Sequence, residues 1–157
     1  MLTILVVLAI LGAATIGGVF FAFSTFVMGA LAQLPPAQGV AAMQRINVVV
    51  LNPLFLGVFI GSAVLSPACI VTAFLPWNAP RSPLLFGAGV LYLAGTFLVT
   101  MAFNVPRNNR LARLDSQSSE ASSFWPIYVR EWSNWNHVRT AAAIASAACS
   151  AVALGTS

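Results

Sequence analysis

The run 132-WSNWNHVRT-140 gathers Trp132, Trp135, Asn134, Asn136, Arg139, Thr140 and the only histidine of the chain, His137, just before an alanine-rich apolar stretch. Such a set can move a proton and hold an oxyanion. An imidazole takes up a proton at neutral pH, and amide and guanidinium N–H groups stabilise an oxygen that turns negative during a reaction. His137 is therefore a candidate base, and Asn136, Arg139 and the more distant Asn104 are candidate donors. On an ideal helix at about 100° per residue, Trp125, Tyr128, Trp132, Trp135 and Arg139 share one stripe, whereas His137 lies about 160° from Arg139. Only one of those stripes can face a pocket squarely, with Asn136 and Thr140 between them.

The elements that must position these residues are membrane spans. The chain is 59% hydrophobic and only 6% charged, far from the roughly one-quarter charged composition of a soluble domain. Apolar segments run over about 4–31, 47–75, 84–103 and 136–154, each near or above the ~20 residues that cross a hydrocarbon core. The expected fold is all-α: one integral-membrane four-helix bundle over 1–157, up-down-up-down, with a long third loop carrying a short helical extension. The apolar N-terminus reads as the first span, because it holds no basic residue and its apolar run continues to Leu31.

All seven basic residues are Arg. Arg45 falls in the first loop, Arg81 in the second, and Arg107, Arg110, Arg113, Arg130 and Arg139 in or beside the third. A bias of six to one places the first and third loops in the cytoplasm and both termini outside a cell (inner) membrane. No basic cluster sits in a soluble module, so nucleic acid is not an expected partner. Cys69 and Cys149 both fall inside spans and suggest neither a disulfide nor a zinc site.

Punctuation along the chain sets further expectations. Pro53 and Pro67 fall within the second span, where they should kink it. Gly57 and Gly61 form a G-x-x-x-G pair suited to close helix packing within the bundle. The outer loop 76-PWNAPRSP-83 carries Trp77, which suits a membrane interface, together with Asn78. The third loop spans about 104–124, with Ser122 and Ser123 as helix caps and Pro126 in the first turn of a long helix that becomes the fourth span.

Polar residues collect at one end of this layout. Ser24, Gln44, Arg45, Asn47, Asn52, Asn104, Asn108, Asn109, Arg110, Asn136, His137, Arg139 and Thr140 all fall where the spans meet on the inferred cytoplasmic side. Polar groups at membrane depth are costly unless paired or facing a cavity, so this one-sided collection marks a candidate site. Within it His137, Asn136, Asn104 and Arg139 are the candidate catalytic residues. Ser24, Phe23, Asn47, Asn108, Trp132, Trp135 and Thr140 are candidate substrate contacts. Structural roles compete for the same residues: Trp125 and Tyr128 as an interfacial belt, the loop arginines as topology signals, and Asn104 with Asn136 as interhelical glue. Phe20, Phe23 and Phe26 either pack or wall an aromatic substrate.

The blocks 20-FFAFSTFVM-28, 41-AAMQRIN-47, 104-NVPRNNRLA-112 and 132-WSNWNHVRT-140, in this order between apolar spans, resemble the anthrone oxygenase-like family of small four-helix membrane proteins. The resemblance covers nearly the whole chain. It implies an oxygenase that converts an anthrone-type aromatic to a quinone with O2 and no added cofactor. The positions matching the family pattern are Asn47, Asn104, Pro106, Asn108, Asn109, Trp132, Trp135, Asn136, His137, Arg139 and Thr140. Arg107 departs from that pattern, which carries an apolar residue there. The implied partners are a small aromatic molecule, O2 and the lipid bilayer, with a homo-oligomer as a further expectation. Two alternatives stay open: a haem or metal held in the bundle by His137, and a non-enzymatic protein that binds a lipid or quinone.

Overall fold

The computed structural model describes residues 2–75 and 80–156, and it is helical throughout, with no strand among the described residues. Trp77 and Asn78 lie outside the described residues. Four helical runs, Leu2–Ala32, Pro53–Thr72, Ser82–Ala112 and Ser119–Gly155, are long and apolar enough to cross a membrane. This is a multi-pass membrane protein. At a rise of about 1.5 Å per residue, the second run just matches a hydrocarbon core of ~30 Å, and the other three overshoot it. The overshoot builds a cap at one end of the bundle.

The first run consists of α1 (Leu2–Ala22), a π-helical turn (Phe23–Val27) and α2 (Met28–Ala32); α3 (Pro36–Val49) follows, then α4 (Pro53–Thr72). The third run is α5 (Ser82–Val90), two π-helical stretches (Leu91–Leu98 and Thr100–Asn104) and α6 (Val105–Ala112); α7 (Ser119–Gly155) closes the chain. One end of the bundle packs Val6, Ala73, Leu85 and Ala153, and the middle packs Ala13, Ile16, Phe20, Phe59 and Tyr92. The cap packs Met28, Val40, Met43, Leu111, Phe124, Trp125, Tyr128 and Trp132. This distribution is the expected up-down-up-down order.

Several expected boundaries move. The second span begins at Pro53 rather than near 47, because residues 36–49 form a separate helix that packs on α6 and α7 in the cap. Pro53 therefore opens α4 instead of kinking it. Asn52 seals the interruption: its Oδ1 accepts from the Phe55 N–H at 3.0 Å and its Nδ2 donates to the Val49 carbonyl at 3.0 Å. Around the interruption Val48, Val49, Leu51 and Leu54 are exposed, Leu54 by 80%. The long third loop contracts as well, since the helix continues through Asn104 to Ala112. Gln44 closes the end of that helix: its Nε2 donates to the Leu111 and Leu114 carbonyls at 2.9 and 2.8 Å, which satisfies groups that a helix end leaves bare. Ser118, not Ser122 or Ser123, caps α7, its Oγ accepting from the Ala121 N–H, and Pro126 lies in the helix interior.

The Trp/Tyr seam is core rather than an interfacial belt. Trp125 and Tyr128 are buried and stack with centroids 5.7 Å apart. Gly39 of α3 lies against the Trp125 indole so closely that a Cβ there would meet ring atoms at 2.7 Å. Gly39→Ala is expected to lower stability by about 1–3 kcal/mol through overpacking, read as a lower melting temperature. Gly57 and Gly61 do not serve close packing inside the bundle: no atom lies within 4 Å of a Cβ built on either. They line an open groove of about 260 Å³ with Leu8, Leu11, Gly12 and Thr15 of α1.

Candidate functional site

The site lies between the middle core and the cap. The α7 stripe that faces inward is the one carrying Trp132 and Arg139, with Asn136 and Thr140 also buried; His137 is exposed on the outer face. A helix turns about 100° per residue, so burying Asn136, Arg139 and Thr140 together leaves His137 no inward direction. His137, expected as a base beside these residues, thus stands outside the network they form.

Asn136 is the hub. Its Nδ2 donates to the Phe20 carbonyl at 2.8 Å and to Ser24 Oγ at 2.6 Å, and its Oδ1 accepts from Arg139 Nε at 2.9 Å. Thr140 Oγ1 donates to the Asn136 carbonyl at 2.6 Å and lies 3.1 Å from Ser24 Oγ. The expected pairing of Asn136 with Asn104 does not form. Asn104, fully buried, donates instead from Nδ2 to the Trp132 carbonyl at 3.2 Å and leaves its Oδ1 without a partner.

Arg139 is only 5% exposed. Its guanidinium stands over the Phe20 ring at 3.9 Å and the Trp132 ring at 4.7 Å, and NH1 reaches Thr100 Oγ1 at 3.4 Å. Desolvated cation–π contacts of this kind contribute about 2 kcal/mol. That does not offset the burial of a charge, which costs several kcal/mol unless an anion pairs with it. Among the described residues no carboxylate does so, and Glu120 is exposed. Glu131 is held by Arg107 at 2.9 Å on the surface, and the Asp115 carboxylate accepts from the Gln117 N–H. The Arg107 departure from the family pattern thus has a local partner in Glu131, with a further bond from NH1 to the Phe103 carbonyl.

Aromatic and amide groups surround this cation. Asn108 Oδ1 accepts from both the Tyr128 hydroxyl and Trp132 Nε1 at 2.9 Å, which fixes the indole over Arg139. Phe23 leans on Trp132 with centroids 5.5 Å apart. Phe59 contacts Phe20, Phe55 and Phe97, a ring cluster on the membrane side. Asn47 neighbours the Tyr128 hydroxyl, and its Nδ2 is buried without a bond. Trp135 lies apart, stacked on Phe103 with centroids 3.5 Å apart.

Of the polar residues that the sequence groups together, the structure joins Ser24, Asn136, Arg139 and Thr140 in one network. It sets Asn104, Asn108 and Asn47 around Trp132 and Tyr128. It places Gln44 and Asn52 at helix ends, Arg110 over the Phe124 ring at 4.1 Å, and Arg45 and Asn109 on the surface. Thr96 and Thr100 are the residues the sequence reading misses. Thr96, Thr100 and Asn104 recur every fourth residue in an otherwise apolar span, a spacing that puts them on one face. The π-helical segments also escape that reading. They carry Phe23 and Ser24 in the first run and Thr96, Thr100 and Asn104 in the third, and such widened turns concentrate at functional sites.

Comparison with known families matches residues 55–149 to the family described as anthrone oxygenase. No curated protein and no solved structure matches the chain. The matched stretch exceeds half of the 157 residues and contains Asn104, Asn108, Trp132, Asn136, Arg139 and Thr140. On that match, the chain belongs to the anthrone oxygenase family.

Proposed function

We propose that this protein is a membrane oxygenase that holds the enolate of a planar, anthrone-type aromatic against Arg139 and lets it react with O2. The observation that carries the reading is a buried guanidinium, walled by Phe20 and Trp132, with no carboxylate partner among the described residues. A charge retained at membrane depth without a counter-ion is a site for an anion. The anion in this reading is the oxygen of the substrate enolate, and the ring cluster of Phe20, Phe59 and Trp132 suits its flat apolar body.

The chemistry balances without an added redox group. Loss of a proton from the CH2 between the rings gives a carbanion–enolate; that carbon transfers electrons to O2 and forms a carbon–oxygen bond. Protonation of the peroxide and loss of water leave C=O, so CH2 plus O2 becomes C=O plus H2O. The protein's part is to stabilise the enolate, which lowers the cost of the first proton loss, and to exclude bulk water. Arg139 supplies the charge, Asn136 fixes Nε, and Thr100 supports NH1. Asn104 Oδ1 and Asn47 Nδ2 provide an acceptor and a donor at the cap side.

In the same reading the cap faces the cytoplasm and both termini lie outside. The six-to-one arginine bias supports this, and it stands at five to one with Arg139 set aside as a site residue.

The test is oxygen uptake and quinone absorbance with purified protein and 9-anthrone in nanodiscs. Turnover above the spontaneous rate supports the proposal, and its absence across hydroxylated and plain anthrones sinks it. His137→Ala is expected to keep its rate within about twofold, because the side chain lies outside the network and surface changes of this kind have small effects. An inactive but folded H137A would return the histidine to the mechanism.

A further inference from the structure

A second polar cluster lies deeper in the bundle, away from Arg139. Ser62 and Ser66 of α4, Tyr92 of the third run, and Ser146 and Ser150 of α7 line a cavity of about 10 Å³. Small residues of α1 and α5 close its other sides. Most of these hydroxyls are occupied as donors. Ser66 Oγ donates to the Ser62 carbonyl at 2.8 Å, Ser146 Oγ to the Ala88 carbonyl at 2.8 Å, and the Tyr92 hydroxyl to the Phe59 carbonyl at 3.1 Å. The Ser62 side chain bonds to Tyr92, whereas Ser150 is 1% exposed and its Oγ has no partner.

An orphan hydroxyl is costly where neither water nor lipid can bond to it. The cavity has the volume of about one water molecule, for which some 10–15 Å³ suffices. A buried water needs two to four polar partners, and apolar cavities of this kind stay dry. This lining is polar on several sides. Hydroxyls already used as donors keep lone pairs free to accept.

We propose that the cavity is a binding site for one ordered water, which bonds to Ser150 Oγ and to hydroxyl oxygens of α4 and α7. The consequence is a link across the bundle diagonal. α4 and α7 have little direct contact, each packing mainly on α1 and the third run. A water shared by Ser66 and Ser150 ties these diagonal helices at membrane depth.

Ser150→Ala separates the two states of the hydroxyl. If Oγ is an orphan, removing it relieves the cost, and the melting temperature stays level or rises. If it holds a water, the variant strips that water of a partner, and the melting temperature falls on the order of 3 °C. The companion measurement is a high-resolution map of the wild-type protein, with a solvent peak expected within hydrogen-bond distance of Ser150 Oγ. A fall in melting temperature together with that peak supports the site. An empty cavity, or S150A melting at or above wild type, overturns it.

Discussion

Arg139→Met is expected to fold, to melt within a few degrees of wild type, and to lose oxygen uptake with an anthrone about 10²- to 10³-fold. The rate loss is the magnitude seen when a preorganised oxyanion donor is removed. The stability result comes from opposing terms. Methionine forfeits the ring contacts at 3.9 and 4.7 Å and leaves Asn136 Oδ1 bare, a loss of roughly 3–5 kcal/mol. It also removes an unpaired buried charge, worth several kcal/mol in the other direction. A residue kept for stability alone would give the reverse pattern, with a large fall in melting temperature and an unchanged rate in the surviving protein. Arg139→Lys keeps the charge and loses the planar fork, so an intermediate rate is expected. Full activity in R139M, measured with an oxygen electrode, sinks the oxyanion role.

The second large effect is on the fold. Asn136→Leu keeps the side-chain size and removes the two bonds that Asn136 makes from α7 to the first run, to the Phe20 carbonyl and Ser24 Oγ, leaving only the Thr140–Ser24 hydroxyl contact beside them. It also strips Arg139 Nε of its acceptor. Interhelical bonds in membranes contribute about 0.6 kcal/mol each, but buried groups left bare cost about 1–3 kcal/mol. The expected loss is about 3 kcal/mol, a fall of roughly 6–12 °C in melting temperature. Ser24→Ala removes one partner of the hub and is expected to cost about 1 kcal/mol. Equal melting temperatures for N136L and wild type would show that the hub does not hold the spans together.

The spans and their alternating order are legible in the sequence because hydrocarbon sets a length and composition that few other environments demand. The choice between the His137 and Arg139 stripes is not, since helical spacing separates the two faces without saying which is buried. What decides it is the aromatic pair Phe20 and Trp132, one of them more than a hundred residues away in the chain. Reading 47–75 as one span fails at Asn52, whose side chain bonds backbone groups on both sides of a break that hydropathy cannot register. Trp125 and Tyr128 read as an interfacial belt because amphipathic rings favour interfaces in general. The cap helices that bury them are built from residues of ordinary polarity, such as 36-PAQGVAAMQRINVV-49. The Thr96, Thr100, Asn104 column is readable from its spacing alone, and the π-helical turns that carry it are not.

The break between Val49 and Pro53 also has a mechanical side. A continuous helix transmits tilt along its axis because each turn is bonded to the next, and three of the four columns of this bundle are uninterrupted from the membrane into the cap. The second column is cut, and only the two bonds of Asn52 stitch its halves. Bending there disturbs little backbone bonding, so α4 is the column that can adjust its angle to bilayer thickness. The residues around Arg139 hang on the stiff columns, and the hinge sits on the one that contributes least to them.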